Sequence, residues 1–417
     1  MKETIRQTYE LFGFMPVETP TIEYSEVLLA KSGGETEKQI YRFTRGDNDF
    51  CLRYDNTVPL SRFVASRLKQ ISLPFRSYQI QKVFRAERPQ KGRFREFYQC
   101  DIDIIGTKSM LADAEIPSVI CAVFKKLGID RFTIRLSNRK LLAGLLDSLG
   151  LFEHCTDILR LIDKIEKQGK ESIANEMKTT VCLSDEAVLK IFEFINIKGE
   201  TKEIISQLEK IDVKNDLFTE GLGEIKTLTE NISALGVPET NYAIDLRIAR
   251  GLDYYTGTIY ETVLTDYPAL GSVCSGGRYD NLASCYTDTA LPGVGMSIGL
   301  TRLFDQLRSV GFFNFGKATA SQILVARTNN VPISYAIKIT SSFRESGIPT
   351  EMYLENAPLG KQLKYADKLG IPFVIIIGTN EGETEKEGKV ILKNMTTGEQ
   401  KTLSPNEVIA TMTEFAG

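Results

Sequence analysis

A cluster of arginines beside a strand-like alternation of acids is where this sequence could first do chemistry. Arg85, Arg88, Lys91, Arg93 and Arg95 crowd together, and Glu87 is the single acid between positions 76 and 95. Guanidinium forks match phosphate oxygens, so the cluster suits a polyanion such as ATP. The residues that follow alternate with period two. Arg95, Phe97, Gln99, Asp101 and Asp103 fall on one face, and Tyr98, Cys100, Ile102 and Ile104 on the other. A face of Arg, Gln and two Asp is costly to bury unless each group has a partner, and by itself it also reads as an ordinary solvated face. Two further strings stand out. Arg250-Gly251-Leu252-Asp253-Tyr254-Tyr255-Thr256-Gly257 sets an arginine beside two tyrosines and two glycines, which suits close approach of a ligand or a turn with packed aromatics. Ser275-Gly276-Gly277-Arg278-Tyr279-Asp280 is, in isolation, a commonplace Gly-Gly turn.

Several chemistries are excluded by what is missing. His154 is the one histidine, within a predicted helix remote from these strings, so most Ser-His and Cys-His machinery has no base and multi-histidine metal sites are out. Seven cysteines form no CxxC pair, and read as reduced thiols of a cytoplasmic protein. No metal site is expected. Two glycine-rich strings are poor phosphate cradles. Gly293–Gly299 has GxGxxxG spacing with no clear strand before it. Gly311–Lys317 nearly spells a P-loop, but phenylalanines fill it and Ala318 replaces the hydroxyl that would hold Mg²⁺. The longest apolar run, around 373–377, is far too short for a bilayer, so no membrane partner is expected. A formal charge of −3 means that nucleic acid would have to be held by local basic patches.

Several elements must position these groups. At 417 residues, with 42% hydrophobic and 25% charged residues, two or three globular domains are expected. Ile5, Tyr9 and Phe12 have helical spacing with Gly13 as a stop, and 14–19 reads as a strand ending at Pro20. Residues 76–106 read as two strands around a polar loop at 88–93, followed by a helix at 110–127 and a strand at 132–136. From about 139 to 235 the pattern is helical and rich in Lys and Glu, and strand character returns at 242–300. A helix and linker cover 303–318. After that, strands (322–327, 349–354, 373–377) alternate with helices (332–346, 359–369) before a hairpin and a final helix, which makes a separate α/β module.

Taken together and in this order, these segments resemble class II aminoacyl-tRNA synthetases and, within them, the histidyl-tRNA synthetase family. The resemblance covers nearly the whole chain. The first helix, the strand after it and Pro20 resemble motif 1, a dimer-forming element. FRAERPQKGRFREFYQCDIDIIG (84–106) resembles motif 2 and GVGMSIGLTRL (293–303) motif 3, while RGLDYY and GGRYD resemble signatures of the histidine branch. An α+β fold is implied: an antiparallel-sheet catalytic domain over 1–318, with a helical insertion at about 150–235, and a C-terminal α/β anticodon-binding domain over 320–417. The implied substrates are histidine, ATP and tRNA(His), with Mg²⁺ held mainly by the ATP phosphates, in a homodimer.

Roles follow by resemblance, residue by residue. Arg85 should contact the α-phosphate, Glu87 the adenine and Arg93 the γ-phosphate, while Arg302 should stack on adenine and reach the γ-phosphate. Arg250 should bridge the histidine carboxylate and the α-phosphate, so that Arg85 and Arg250 carry the catalysis and also touch histidine. Asp55 and Thr57 match positions that hold the α-amino group, with Gln99 assisting. Asp103 matches the carboxylate facing the imidazole, and Tyr254 and Tyr255 the aromatic pair beside it. Asp55 and Asp103 stand where part of the family has glutamate, and both keep the charge. A rival reading is a non-catalytic histidine-sensing regulatory paralogue. Such paralogues lack the C-terminal module and have usually lost the signature arginines, whereas Arg85, Arg93, Arg250, Arg302 and the module are all here.

Overall fold

A computed structural model describes residues 1–29, 37, 39–88, 92–248, 254–313, 319–328, 331–378 and 388–416. Arg250 with Gly251–Asp253, residues 89–91 of the arginine-rich loop and 314–318 of the P-loop-like string lie outside the described residues. The chain divides into two compact units, Met1–Val310 and Gly311–Gly417.

Described strands of the first unit are β1 (Met15–Pro16), β2 (Ile22–Tyr24), β3 (Arg42–Arg45), β4 (Asn48–Leu52), β5 (Phe75–Phe84), β6 (Glu96–Ile105), β7 (Phe132–Asn138), β8 (Tyr242–Ile244), β9 (Thr258–Leu264), β10 (Ser272–Tyr279) and β11 (Gly293–Gly299). Eight of them form one sheet in the order β1-β5-β6-β11-β10-β9-β7-β8, and β2-β4-β3 form a small second sheet. The large sheet is antiparallel apart from its edge pairs β1–β5 and β7–β8. Expected strand 14–19 is only two residues long. Pro16 has no N–H to donate, and past Val17, which still bonds to Tyr78 O, the chain leaves the ladder.

Period-two alternation splits this sheet into two unlike faces. Cys100, Ile102 and Ile104 of β6 are buried, as are Val294, Met296 and Ile298 of β11. Two helices pack on that side: Lys2–Leu11, whose Tyr9 hydroxyl donates to Cys100 O at 3.0 Å, and Met110–Lys126. The opposite face is polar. In register across β5, β6 and β11 stand Gln81, Gln99 and Gly299, then Gln79, Asp101 and Ser297, then Ser77, Asp103 and Gly295. Helical character from 139 to 235 resolves into short helices between Arg139–Ser148 and Asp216–Ala234, and that last helix packs on both Arg139–Ser148 and Met110–Lys126.

The second unit has the described strands β12 (Ile323–Arg327), β13 (Thr350–Met352), β14 (Phe373–Ile377), β15 (Val390–Asn394) and β16 (Gln400–Leu403) in the order β13-β12-β14-β15-β16. Helices Ile333–Glu345, Leu359–Leu369 and Pro405–Ala416 accompany the sheet. The parallel strands β12 and β14 are buried almost end to end, which explains the near-continuous apolar runs that mark them.

Candidate active site

Four side chains expected to handle ATP converge. Arg85, Glu87, Arg93 and Arg302 line a single cleft of about 260 Å³, and Gln99 lines it too. Arg85 follows β5 directly and has its guanidinium over the rings of Tyr54 (4.4 Å) and Phe97 (5.2 Å), within cation–π range of both. Arg93 pairs with Glu87 at 3.2 Å across the loop, and Arg95 Nε donates to Glu87 O at 3.3 Å. Arg302 lies in the first turn of the helix Leu300–Ser309, where Nη2 donates to Leu270 O at 3.2 Å. Part of the basic cluster is spent elsewhere, since Arg76 pairs with Glu115 and Lys82 with Glu96.

Residues expected to hold the amino acid gather on the polar face of the sheet. The segment from Arg53 to Thr57 lies over β5. Arg53 donates to Thr19 O and Lys82 O at 2.6 Å, and Gln79 Nε2 donates to Asn56 O at 3.0 Å. Asp55 is thereby buried, accepting from Val58 N at 3.1 Å and from the Tyr254 hydroxyl at 3.2 Å, and the Thr57 side chain stands beside that hydroxyl. Tyr254 and Tyr255 meet edge to face at 5.2 Å. Gln99 is buried and donates to Ser297 Oγ at 2.6 Å.

Asp103 accepts from the Tyr279 hydroxyl at 2.7 Å, and the Tyr279 ring lies 5.9 Å from that of Tyr254. The glycine strings make this approach possible. A Cβ on Gly295 would run into the Asp103 carboxylate, and one on Gly277 would stand 3.1 Å from the Tyr255 ring. Gly293–Gly299 is therefore a strand that slides past a carboxylate, consistent with its rejection as a dinucleotide loop. Burial pushes the Asp103 carboxyl up to about 8, with the Tyr279 hydrogen bond opposing. Burial likewise pushes Asp101 up to about 7, against Ser297 and Asn56, and raises Asp55.

Sequence reasoning gave no role to Tyr279, Asn56, Ser297 or Asp101. Tyr279 shares a face with Gly277 by period two, but only the register of β10 with β11 carries that face round to Asp103. It also missed the buried pair behind the tyrosines. Arg278 Nη2 bonds to Asp113 and Nη1 donates to Thr107 O at 3.1 Å. Thr256, one residue beyond Tyr255, donates its N–H to Arg278 O at 2.8 Å and its hydroxyl to Asp280 at 2.6 Å. The string GGRYD thus fastens the tyrosine turn to the sheet.

An antiparallel sheet with a phosphate-suited arginine cleft at one end of a strand and a carboxylate–tyrosine cluster at the other is the platform of a class II aminoacyl-tRNA synthetase. The family model for histidyl-tRNA synthetase matches residues 1–303, and that for the anticodon binding domain matches 322–415. The chain is 54% identical to the histidine–tRNA ligase of Clostridium tetani, over 98% of this chain and 92% of that one. It is 44% identical to the histidine–tRNA ligase of Clostridium acetobutylicum, over 97% and 93%. The crystal structure of histidyl-tRNA synthetase from Nostoc sp. PCC 7120 superposes with a TM-score of 0.84 at 37% identity, covering 98% of this chain and 94% of that one. An ATP phosphoribosyltransferase regulatory subunit/histidyl-tRNA synthetase from Bacillus halodurans, at 24% identity and a TM-score of 0.70 over 84% of this chain and 86% of that one, shares the fold. The chain belongs to the histidyl-tRNA synthetase family.

Proposed function

We propose that the chain activates histidine with ATP, forming histidyl-adenylate and pyrophosphate, and then transfers histidine to the 3′ end of tRNA(His). One observation carries this reading: Gln99 lines the cleft with Arg85, Glu87, Arg93 and Arg302, and shares its strand face with Asp101 and Asp103. Attack of a carboxylate on the α-phosphate brings two anions together, so the site must supply fixed positive charge and needs no protein base. Arg85 meets that need at the α-phosphate, Arg93 and Arg302 at the γ-phosphate, and Glu87 takes the adenine. Arg250 has its part, bridging the histidine carboxylate and the α-phosphate, by family resemblance alone.

Asp55 and Thr57 take the α-amino group, with Gln99. Neutral imidazole offers one donor and one acceptor, so Asp103 at one nitrogen and a tyrosine hydroxyl at the other read both. Mg²⁺ accompanying ATP would neutralise phosphate charge. The ATP phosphates would be its main ligands, because Glu87 is the one carboxylate among the described residues lining the cleft and is already paired with Arg93. In this reading the catalytic domain spans about 1–318 with its helical insertion at about 150–235, residues 320–417 bind the anticodon, and the cytoplasmic protein works as a homodimer. Among the described residues no helix is long and apolar enough to cross a membrane.

Pyrophosphate exchange into ATP with each amino acid in turn tests the reading. Exchange should depend on histidine and should be followed by charging of tRNA(His). Exchange driven by a different amino acid, or no exchange with any amino acid, would overturn it, and the second outcome would favour the regulatory paralogue.

A further inference from the structure

Residues 254–257 carry the aromatic pair expected beside the imidazole, and a side chain from a different element reaches across to them. Arg139 is the first residue of the helix Arg139–Ser148, directly after β7. Its backbone N–H donates to Gly257 O at 3.0 Å, which continues the ladder of β7 with β9, and any residue but proline would make that bond. The guanidinium adds what is particular to this side chain. Its Nη1 donates to Tyr255 O at 3.1 Å, and its central carbon lies 5.9 Å from the centre of the Tyr255 ring, at the outer limit of cation–π range.

This is an unfavourable place for an arginine. A cation in the first turn of a helix opposes the macrodipole, and this first turn holds Arg139 and Lys140 with no acid among them. Lys140 is answered from outside, by Glu220 at 2.9 Å and Glu224 at 2.5 Å, both on the helix Asp216–Ala234. Glu224 also accepts from Asn138 Nδ2 at 2.6 Å, and Asn138 Oδ1 caps the helix by accepting from Lys140 N at 3.0 Å. Both neighbours of Arg139 are thus clamped to one helix. The two helices meet closely, since a Cβ on Gly221 would stand 2.9 Å from Lys140 Cβ and 3.0 Å from Leu141 N. Arg139 therefore reaches Tyr255 from a fixed base. A local preference broken inside so firm a frame marks a residue kept for function.

We propose that Arg139 is a positioning residue for histidine: by holding the Tyr255 carbonyl and flanking the ring, it sets where the Tyr255 hydroxyl meets the imidazole. This rests on histidine being the substrate. The Tyr254 hydroxyl donates to Asp55 and that of Tyr279 to Asp103, whereas the Tyr255 hydroxyl has no hydrogen bond to the described residues. Its place is therefore set from the backbone and the ring. Gly277 leaves that ring its room on one side, and Thr256, the next residue, is tied to Asp280 and to Arg278 O. Arg139 supplies the remaining hold, on the carbonyl of Tyr255 itself. It acts through the tyrosine and does not touch the amino acid.

Pyrophosphate exchange by the full chain separates this role from a structural one. Arg139→Met keeps the stem and removes the donors. Its KM for histidine should rise roughly 10-fold, the scale of one hydrogen bond to a charged group. Its kcat and its KM for ATP should stay within about twofold, because Tyr255 meets the ring before as well as during the reaction. Arg139→Lys keeps the charge and a donor, and should recover most of the loss. A lysine variant no better than the methionine variant overturns the proposal. So does a methionine variant in which the KM values for histidine and ATP rise together, as a general loosening of the fold would make them. A double-mutant cycle with Tyr255→Phe, which removes only the hydroxyl, is the sharper readout. In that background Arg139→Met should add less than about a twofold loss, whereas losses that multiply independently overturn the proposal. Should the methionine variant not fold, Arg139→Gln, with a shorter neutral amide, takes its place in the cycle. Wild-type protein without histidine-dependent exchange overturns the histidine reading and this role with it. Wild-type exchange beside an unaltered methionine variant overturns this role alone.

Discussion

Asp103 shows how a single side chain is tuned by what the strand puts beside it. Its carboxyl is buried under the Tyr279 hydroxyl, with Gly295 opposite leaving room for no other side chain. Asp103→Asn keeps the shape but replaces the acceptor proposed to face a ring N–H by a group that can also donate. Steady-state exchange should show histidine kcat/KM falling by about 10²-fold or more, and the KM for ATP changing little. The raised carboxyls also set a pH dependence. Asp101 and Asp103 titrate above their unfolded values, so their contribution to folding is fully present below the unfolded carboxylate range and is lost as pH rises through about 7 and 8. Histidine bound beside these carboxylates, as proposed, should offset that loss, and its shift of Tm should be larger at pH 8.5 than at pH 6 in thermal scans. Arg85 is a second test. Lysine keeps its charge but has no flat fork to lie against Tyr54 and Phe97, so Arg85→Lys should lower kcat for adenylate formation more than it raises the KM for histidine. A pure KM effect would mean that Arg85 serves ground-state binding only.

Among the elements, β11 has the least freedom. It runs between β6 and β10, and its glycines are required by contact, because Gly295 faces the Asp103 carboxylate and stands close to Ile102 O. Gly295→Ala overpacks this strand junction and should cost about 1–3 kcal/mol in chemical unfolding. Histidine-dependent exchange should fall in the same variant even where it is fully folded, because Asp103 must move. An alanine variant with wild-type exchange would show that the carboxylate has slack. The arginine-rich loop and the tyrosine turn were recognisable by composition, yet neither string shows what anchors it. For the turn the anchor is Arg278 on Asp113, an ion pair between positions 165 residues apart.

At the scale of the molecule, division into Met1–Val310 and Gly311–Gly417 suggests a division of labour. A chain ending near residue 318 should still exchange pyrophosphate while losing most aminoacylation, since tRNA would be held only at its acceptor end. Equal charging by the truncated, folded protein would give the second unit another role. Lys361, Lys364 and Lys368 are all exposed on the helix Leu359–Leu369, as either a phosphate-facing stripe or a solvated face requires. Reversing all three charges separates these, with a rise in tRNA KM and no change in exchange expected for the stripe. Leu11 and Met15, at the end of the first helix and on β1, are 72% and 53% exposed, which suits a two-fold interface at motif 1. Light scattering at working concentration should find a dimer, and a fully active monomer would remove that interface.

Much of this was already decided in the one-dimensional pattern. Alternation at 95–104 separated the polar face from the core, and the alternating strand and helix patterns from 322 onward gave the element order of the second unit, because side-chain direction along a strand or helix depends only on local geometry. Family strings such as RGLDYY and GGRYD marked the expected site residues by resemblance. What local pattern could not decide was partnership. β1 is only two residues long because Pro16 cannot donate, the small sheet of β2, β3 and β4 has no clear strand pattern in the sequence, and Asp101 has no distinction there from its strand neighbours. Only the register of β5, β6, β11 and β10 brings Tyr279 to Asp103 and leaves Asp101, Gln99 and Asn56 with open oxygens. Those contacts join residues up to 198 positions apart, as in Gln99 and Ser297, and a sequence specifies them through the packing of the whole sheet rather than through any string within it.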